Sequence, residues 1–175
     1  MSRKRWLLMV SLTLGAGPIL AAELSDFVPA RDGALSCWSR IYDAAHLKSH
    51  PAQKVAEMNF AISYAAESAE YAAQYSFLIQ AKLRDGTAGA NTGPCSETDG
   101  EIMCGVECDG GYVMVEARSD GGVLLDLDAS GYIYLEGGCG SENEDGGFAL
   151  EAGADDREFL LRPVPAHQCG PALFE

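Results

Sequence analysis

The chain has 175 residues, and its 26 acidic side chains outnumber 12 Lys and Arg to give a formal net charge of −14. A surface of that sign repels phosphate backbones and anionic lipids, which argues against nucleic acid or an anionic membrane as a partner. It favours cationic proteins, cationic peptides and metal ions.

Residues 1–22 read as a signal peptide. Arg3, Lys4 and Arg5 form a positive start, Trp6 to Ala16 an apolar run, Pro18 a break, and Ala21-Ala22 a small-residue cleavage site. The apolar run is shorter than the roughly 20 residues a spanning helix needs, so cleavage after Ala22 is expected in place of an anchor. No later segment reads as a membrane-spanning helix. Three of the basic residues and none of the acidic ones fall in 1–22, so residues 23–175 carry −17. They are expected to form one monomeric domain, periplasmic or secreted.

All six cysteines, Cys37, Cys95, Cys104, Cys108, Cys139 and Cys169, follow residue 22. An even count in an oxidising compartment reads as disulfides, though sequence alone does not choose the pairing. The preferred set is Cys37–Cys169 across the chain ends, Cys95–Cys104 across a short loop, and Cys108–Cys139. A thiolate metal site at Cys104-x-x-x-Cys108 is the weaker alternative, because zinc knuckles use tighter spacings.

Residues 23–36 read as an irregular lead-in. A short helical turn is expected from Asp43 to Lys48, ended by Pro51, which disfavours helix at His50. Ala56, Met58, Phe60, Ile62 and Tyr64 then alternate with Glu57, Asn59, Ala61 and Ser63, the period of a half-buried strand. Tyr75, Phe77, Ile79, Ala81 and Leu83 repeat it. A Gly-rich loop is expected from Asp85 to about Gly100. Further strands are predicted over 102–108, 112–118, 123–127, 132–136, 147–151 and 158–162. Asp109-Gly110-Gly111, Ser119 to Gly122 and Ala129-Ser130-Gly131 supply turns between them. Residues 137–147 form a long acidic loop. About eight strands without strand-helix-strand alternation predict an all-β, antiparallel up-and-down barrel, with a β-sandwich as the alternative. A membrane barrel fits poorly, because most of the strands are shorter than the roughly 9–11 residues that span.

Two metal patterns stand out. Asp126-x-Asp128-x-Ser130-Gly131-x-Ile133 matches the start of an EF-hand calcium loop. Its last ligand is missing, since Gly137 stands where a bidentate Glu belongs, and its flanks read as strands. A turn is therefore expected. His46-x-x-x-His50 has the spacing of a two-histidine zinc or nickel face, with Asp43 or His167 as a further ligand. It lacks the Glu beside the first His that a metalloprotease uses. The acids Glu142, Glu144, Asp145, Asp155 and Asp156 offer oxygen to a hard cation but read as solvated, with Arg157 pairing locally. No Gly-x-Ser-x-Gly elbow or phosphate-cradling loop is present. No catalytic residue and no cofactor is assigned; calcium and zinc are the alternatives.

Cys37, Tyr42-Asp43, His46-Leu47, His50-Pro51 and Gln53, with Cys104, Asp109-Gly110-Gly111 and Asp155-Asp156-Arg157-x-Phe159-x-Leu161, resemble uncharacterised exported proteins of Gram-negative bacteria. The resemblance implies a signal-bearing, mainly β protein and carries no activity. The leading expectation is an exported, non-enzymatic binding protein. Its ligand is either a small apolar molecule inside the barrel or a cationic protein held on acidic loops, as by an inhibitor. The candidate loops are 43–51, 85–100 and 137–147, with Trp38, Tyr42, Tyr71 and Tyr112 as contact residues. The rival is a metal-binding protein or metal-dependent enzyme built on His46 and His50. A structural role in the envelope comes third.

Overall fold

The computed structural model describes residues 22–136 and 148–168. In chain order it contains α1 (Leu24–Phe27), β1 (Ala34–Ile41), α2 (Ala44–Ser49), β2 (Val55–Ala65), β3 (Gln74–Leu83), β4 (Ala88–Thr98), β5 (Glu101–Gly105) and β6 (Tyr112–Ala117). Then come β7 (Val123–Asp126), β8 (Tyr132–Tyr134), β9 (Ala149–Glu151), β10 (Glu158–Val164) and a 3-10 turn at Ala166–Gln168. Strands β1 to β7 and β10 close an antiparallel barrel in which chain neighbours pair, and β1 completes the ring between β2 and β10. Strands β8 and β9 form a separate two-stranded sheet.

The period-two pattern sets the sidedness. Met58, Phe60, Ile62, Phe77, Ile79 and Ala81 are buried inside. Outside, Glu57 pairs with Lys82, Asn59 with Gln80 and Ser63 with Ser76. On these strands the inward face is apolar and the outward face mostly polar, whereas a lipid-embedded barrel carries its apolar band outside. Among the described residues no helix is long and apolar enough to cross a membrane.

Eight strands enclose a space that side chains can fill. Here Phe60, Phe77 and Phe159 are at most 2% exposed, and they pack with Ile79, Ile102 and Leu125 in one cluster. The rings of Phe60 and Phe77 lie 6.0 Å apart, and those of Trp38 and Phe60 6.3 Å apart.

Both ends are covered. At one, α1 buries Leu24, Phe27 and Val28, with the Phe27 ring edge-on to Trp38 at 6.2 Å. Leu24 N–H donates to Glu97 Oε2 at 2.9 Å, and Trp38 Nε1–H to the Gly121 carbonyl at 2.9 Å. At the other end the β8–β9 hairpin buries Ile133, Leu135 and Leu150 in the same core. Beside it, residues 42–54 form a strap between β1 and β2.

The eight barrel strands are not the eight expected from the sequence. β1 and β4 belong to the barrel, whereas β8 and β9 lie outside it. β1 was hidden because its burial does not alternate: Cys37 and Trp38 are both buried and Ile41 is 72% exposed. β4 reads as a loop because it is Gly-rich and holds Pro94. Its glycines serve close approach instead. A Cβ on Gly93 would lie 2.1 Å from the Gly105 carbonyl oxygen, and one on Gly89 2.9 Å from that of Leu135. Pro94 lies just before the first β4–β5 pair, Cys95↔Cys104, a position that tolerates a missing N–H.

Cys95 and Cys104 are disulfide-bonded across that pair, as the sequence suggests. Cys37 and Cys108 are disulfide-bonded too. Their expected partners, Cys169 and Cys139, lie outside the described residues, as do nearly all of the expected signal peptide and the acidic loop 137–147.

Candidate functional site

The strap carries both predicted histidines. Asp43 caps α2, its carboxylate accepting the His46 N–H at 2.8 Å. That bond holds the Asp43 carboxyl below its usual range. His46 and His50, one turn apart, stack at 4.1 Å with planes 18° apart. Tyr42 packs near His46 at 4.7 Å, and the Arg40 guanidinium lies 5.3 Å from the centre of the Tyr42 ring. Burial pushes the Tyr42 hydroxyl up to about 12. His46 Nε2 lies 2.9 Å from Oε1 of the buried Gln53, so that nitrogen carries the proton. His50 Nδ1, 3.0 Å from the His46 carbonyl, is protonated for the same reason.

A metal shared by two imidazoles must lie close to both ring planes, about 2.1 Å from each nitrogen. Nearly parallel planes this far apart do not converge near the rings. Asp43 is engaged as a cap, and His167 follows β10 at the opposite end of the barrel. Among the described residues no group of three or more His, Cys, Asp or Glu is placed to hold a metal ion.

The EF-hand-like string is a turn, as expected, but it leads from the barrel into the separate hairpin. Asp126 Oδ1 accepts the Asp128 N–H at 2.7 Å, and Gly131, at φ +79°, donates to the Leu127 carbonyl. Arg157 sits 3.3 Å from Asp128 Oδ2, a cation already at that carboxylate. Arg157 thus pairs with Asp128, not with the adjacent acids. Those acids anchor the strap. Asp156, 1% exposed, accepts the N–H groups of Lys54 and Val55, and Asp155 accepts that of Ala52. Arg84 donates to the Leu47 and His50 carbonyls at the end of α2.

Sequence reasoning missed a groove of about 710 Å³ on the outer surface, at the hairpin end. Pro94, Met103, Val106, Tyr112 and Tyr132 line it together with Glu107 and Asp109. Neither Lys nor Arg lines it among the described residues. Gly111, beside Tyr112, bridges to Ile133, beside Tyr132, and only a glycine fits there: a Cβ would lie 2.1 Å from the Tyr132 carbonyl oxygen. Ser130 Oγ lies 2.7 Å from the carbonyls of both Tyr112 and Tyr132 and donates to one at a time. Tyr132 Oη donates to the Asp109 carbonyl at 2.8 Å.

The 106–111 turn beside the groove is strained and well fastened. Cys108 and Asp109 both have positive φ, 58° and 59°, a region that non-glycine residues visit at a cost of order 1–3 kcal/mol each. Val106 N–H donates to the Gly111 carbonyl, Gly110 N–H to that of Glu107, and Tyr134 N–H to that of Gly110. The turn is thus held by its own backbone hydrogen bonds.

Comparison with protein-family models, curated proteins and solved structures found no match.

Proposed function

We propose that the chain is an exported, non-enzymatic binding protein whose partner is a cationic protein docked on the outer groove, in the manner of an inhibitor. One observation carries this reading: the barrel interior is occupied by Phe60, Phe77, Phe159 and their neighbours, and both ends are covered, while an acidic, aromatic groove lies open outside. These side chains pack in one core cluster, the filled form of an eight-stranded barrel, which disfavours a small apolar ligand inside. A groove with two carboxylates and, among the described residues, no basic side chain, on a chain of net charge −14, complements positive charge. Tyrosines give contact area at little cost in side-chain freedom. Disulfides at Cys95–Cys104, Cys37 and Cys108 support a periplasmic or secreted setting.

Titration calorimetry against a basic globular protein such as cytochrome c, and against an arginine-rich peptide, tests the proposal. One-to-one binding that weakens as salt is raised is expected. Absence of binding at low salt, with an apolar molecule released when the purified protein is denatured, would replace this reading by the lumen ligand.

A further inference from the structure

We infer that the groove selects arginine over lysine in the segment it binds. This selection presupposes the cationic partner proposed above and names the side chain the groove receives.

The lining of the groove combines two tyrosines with two carboxylates. Tyr112 and Tyr132 line it with Met103 and Val106, and Glu107 and Asp109 belong to one short turn beside them. Tyr132 is tethered through its hydroxyl to the Asp109 carbonyl, which ties the ring to the acidic turn. Next to it the Tyr134 ring stands nearly perpendicular, at 85° and 5.7 Å, and Tyr134 is 38% exposed.

An ammonium and a guanidinium fare differently on such a surface. The lysine ammonium is compact and strongly hydrated, so seating it on rings and methionine strips water that two carboxylates only partly replace. The guanidinium is planar and weakly hydrated. It lies flat on a tyrosine face, and its N–H groups, directed outward in its own plane, remain free for carboxylates. An acidic patch alone attracts both cations; the tyrosines are what separate them. Bidentate pairing to Glu107 or Asp109 adds to the preference.

Two peptides of equal length and charge, one carrying arginine and the other lysine, are titrated into the full chain. The arginine peptide is expected to bind about 5- to 10-fold tighter, within the range that cation–π contacts provide. Tyr132→Leu should bring that ratio to near one. Tyr132→Phe keeps the ring and should preserve it, which separates loss of stacking from misfolding. Glu107→Gln with Asp109→Asn should weaken both peptides and leave the ratio in place. Ser25→Ala, in α1 at the far end, should change neither peptide. Equal binding of the two peptides to the unaltered protein, insensitive to Tyr132→Leu, would overturn arginine selection while leaving a cationic partner standing. Failure of both peptides and of cytochrome c to bind would remove both claims.

Discussion

The two ends of the barrel are closed by different means. At one, a single helical turn lays Leu24, Phe27 and Val28 against Trp38, and the closure is mainly apolar, with the Glu97–Leu24 and Trp38–Gly121 bonds beside it. At the other, the strap and the β8–β9 hairpin also bury apolar residues, but their positions are set by polar side chains bonded to backbone. Asp156 holds Lys54 and Val55, Gln53 holds His46 and the Val55 carbonyl, Arg84 holds the end of α2, and Ser130 holds Tyr112 and Tyr132. Apolar burial scales with area and is tolerant of angle; hydrogen bonds are directional. The first end therefore stabilises the fold, and the second fixes a shape. The groove lies at the second.

That division is broken most severely by Phe27→Ala. Removing a buried ring should cost about 3 to 5 kcal/mol and lower the denaturant midpoint accordingly. Arginine-peptide affinity measured well below the unfolding transition should hardly change. Asp156→Ala comes next, because it strands two N–H groups beside the core. A cost of about 2 kcal/mol is expected. Amide exchange should accelerate in 50–56 far more than in β6 and β7. Ser130→Ala sharpens the comparison: about 1 kcal/mol of stability should go with it, yet peptide affinity should drop several-fold, because Tyr112 and Tyr132 lose their shared anchor.

The smallest effects are those of pH. Tyr42 ionises near 12 in the folded chain against 10.0 ordinarily. A raised value means that its contribution is present in full below pH 10.0 and is lost as pH rises towards 12. Unfolding midpoints should therefore fall over that window, less steeply in Tyr42→Phe. Asp43 has the opposite sign. Its lowered value makes the cap's contribution present above its ordinary 3.8 and lost on acidification below it. Asp43→Asn, which keeps a capping oxygen, should flatten that acid limb.

Much of the barrel was legible in the chain. β2, β3, β5, β6, β7 and β10 follow period two, and the turns fall at Gly-rich steps such as Asp109-Gly110-Gly111. β1 and β4 were illegible because neither follows a clean alternation. Leu35 and Ile41 point away from the core, and the glycines and Pro94 of β4 mimic a loop while serving contacts that only tertiary structure reveals. β8 and β9 were legible as strands but not as a separate sheet, since pairing partners are set at long range. The histidine spacing was visible, whereas the stacking and the bond to Gln53 that occupy the pair were not. The groove depends on the Gly111↔Ile133 bridge beside Tyr112 and Tyr132. The available signal was the alternation of Tyr132 and Tyr134 after Gly131, which puts two tyrosines on one outward face.

The central claim is that binding takes place on the outside of a filled barrel. Amide chemical-shift mapping of the full chain during titration with the arginine peptide tests it most directly. Saturable shifts confined to 103–112 and 129–134 are predicted. Shifts centred on Phe60, Phe77 and Leu125, or on His46 and His50, would contradict it.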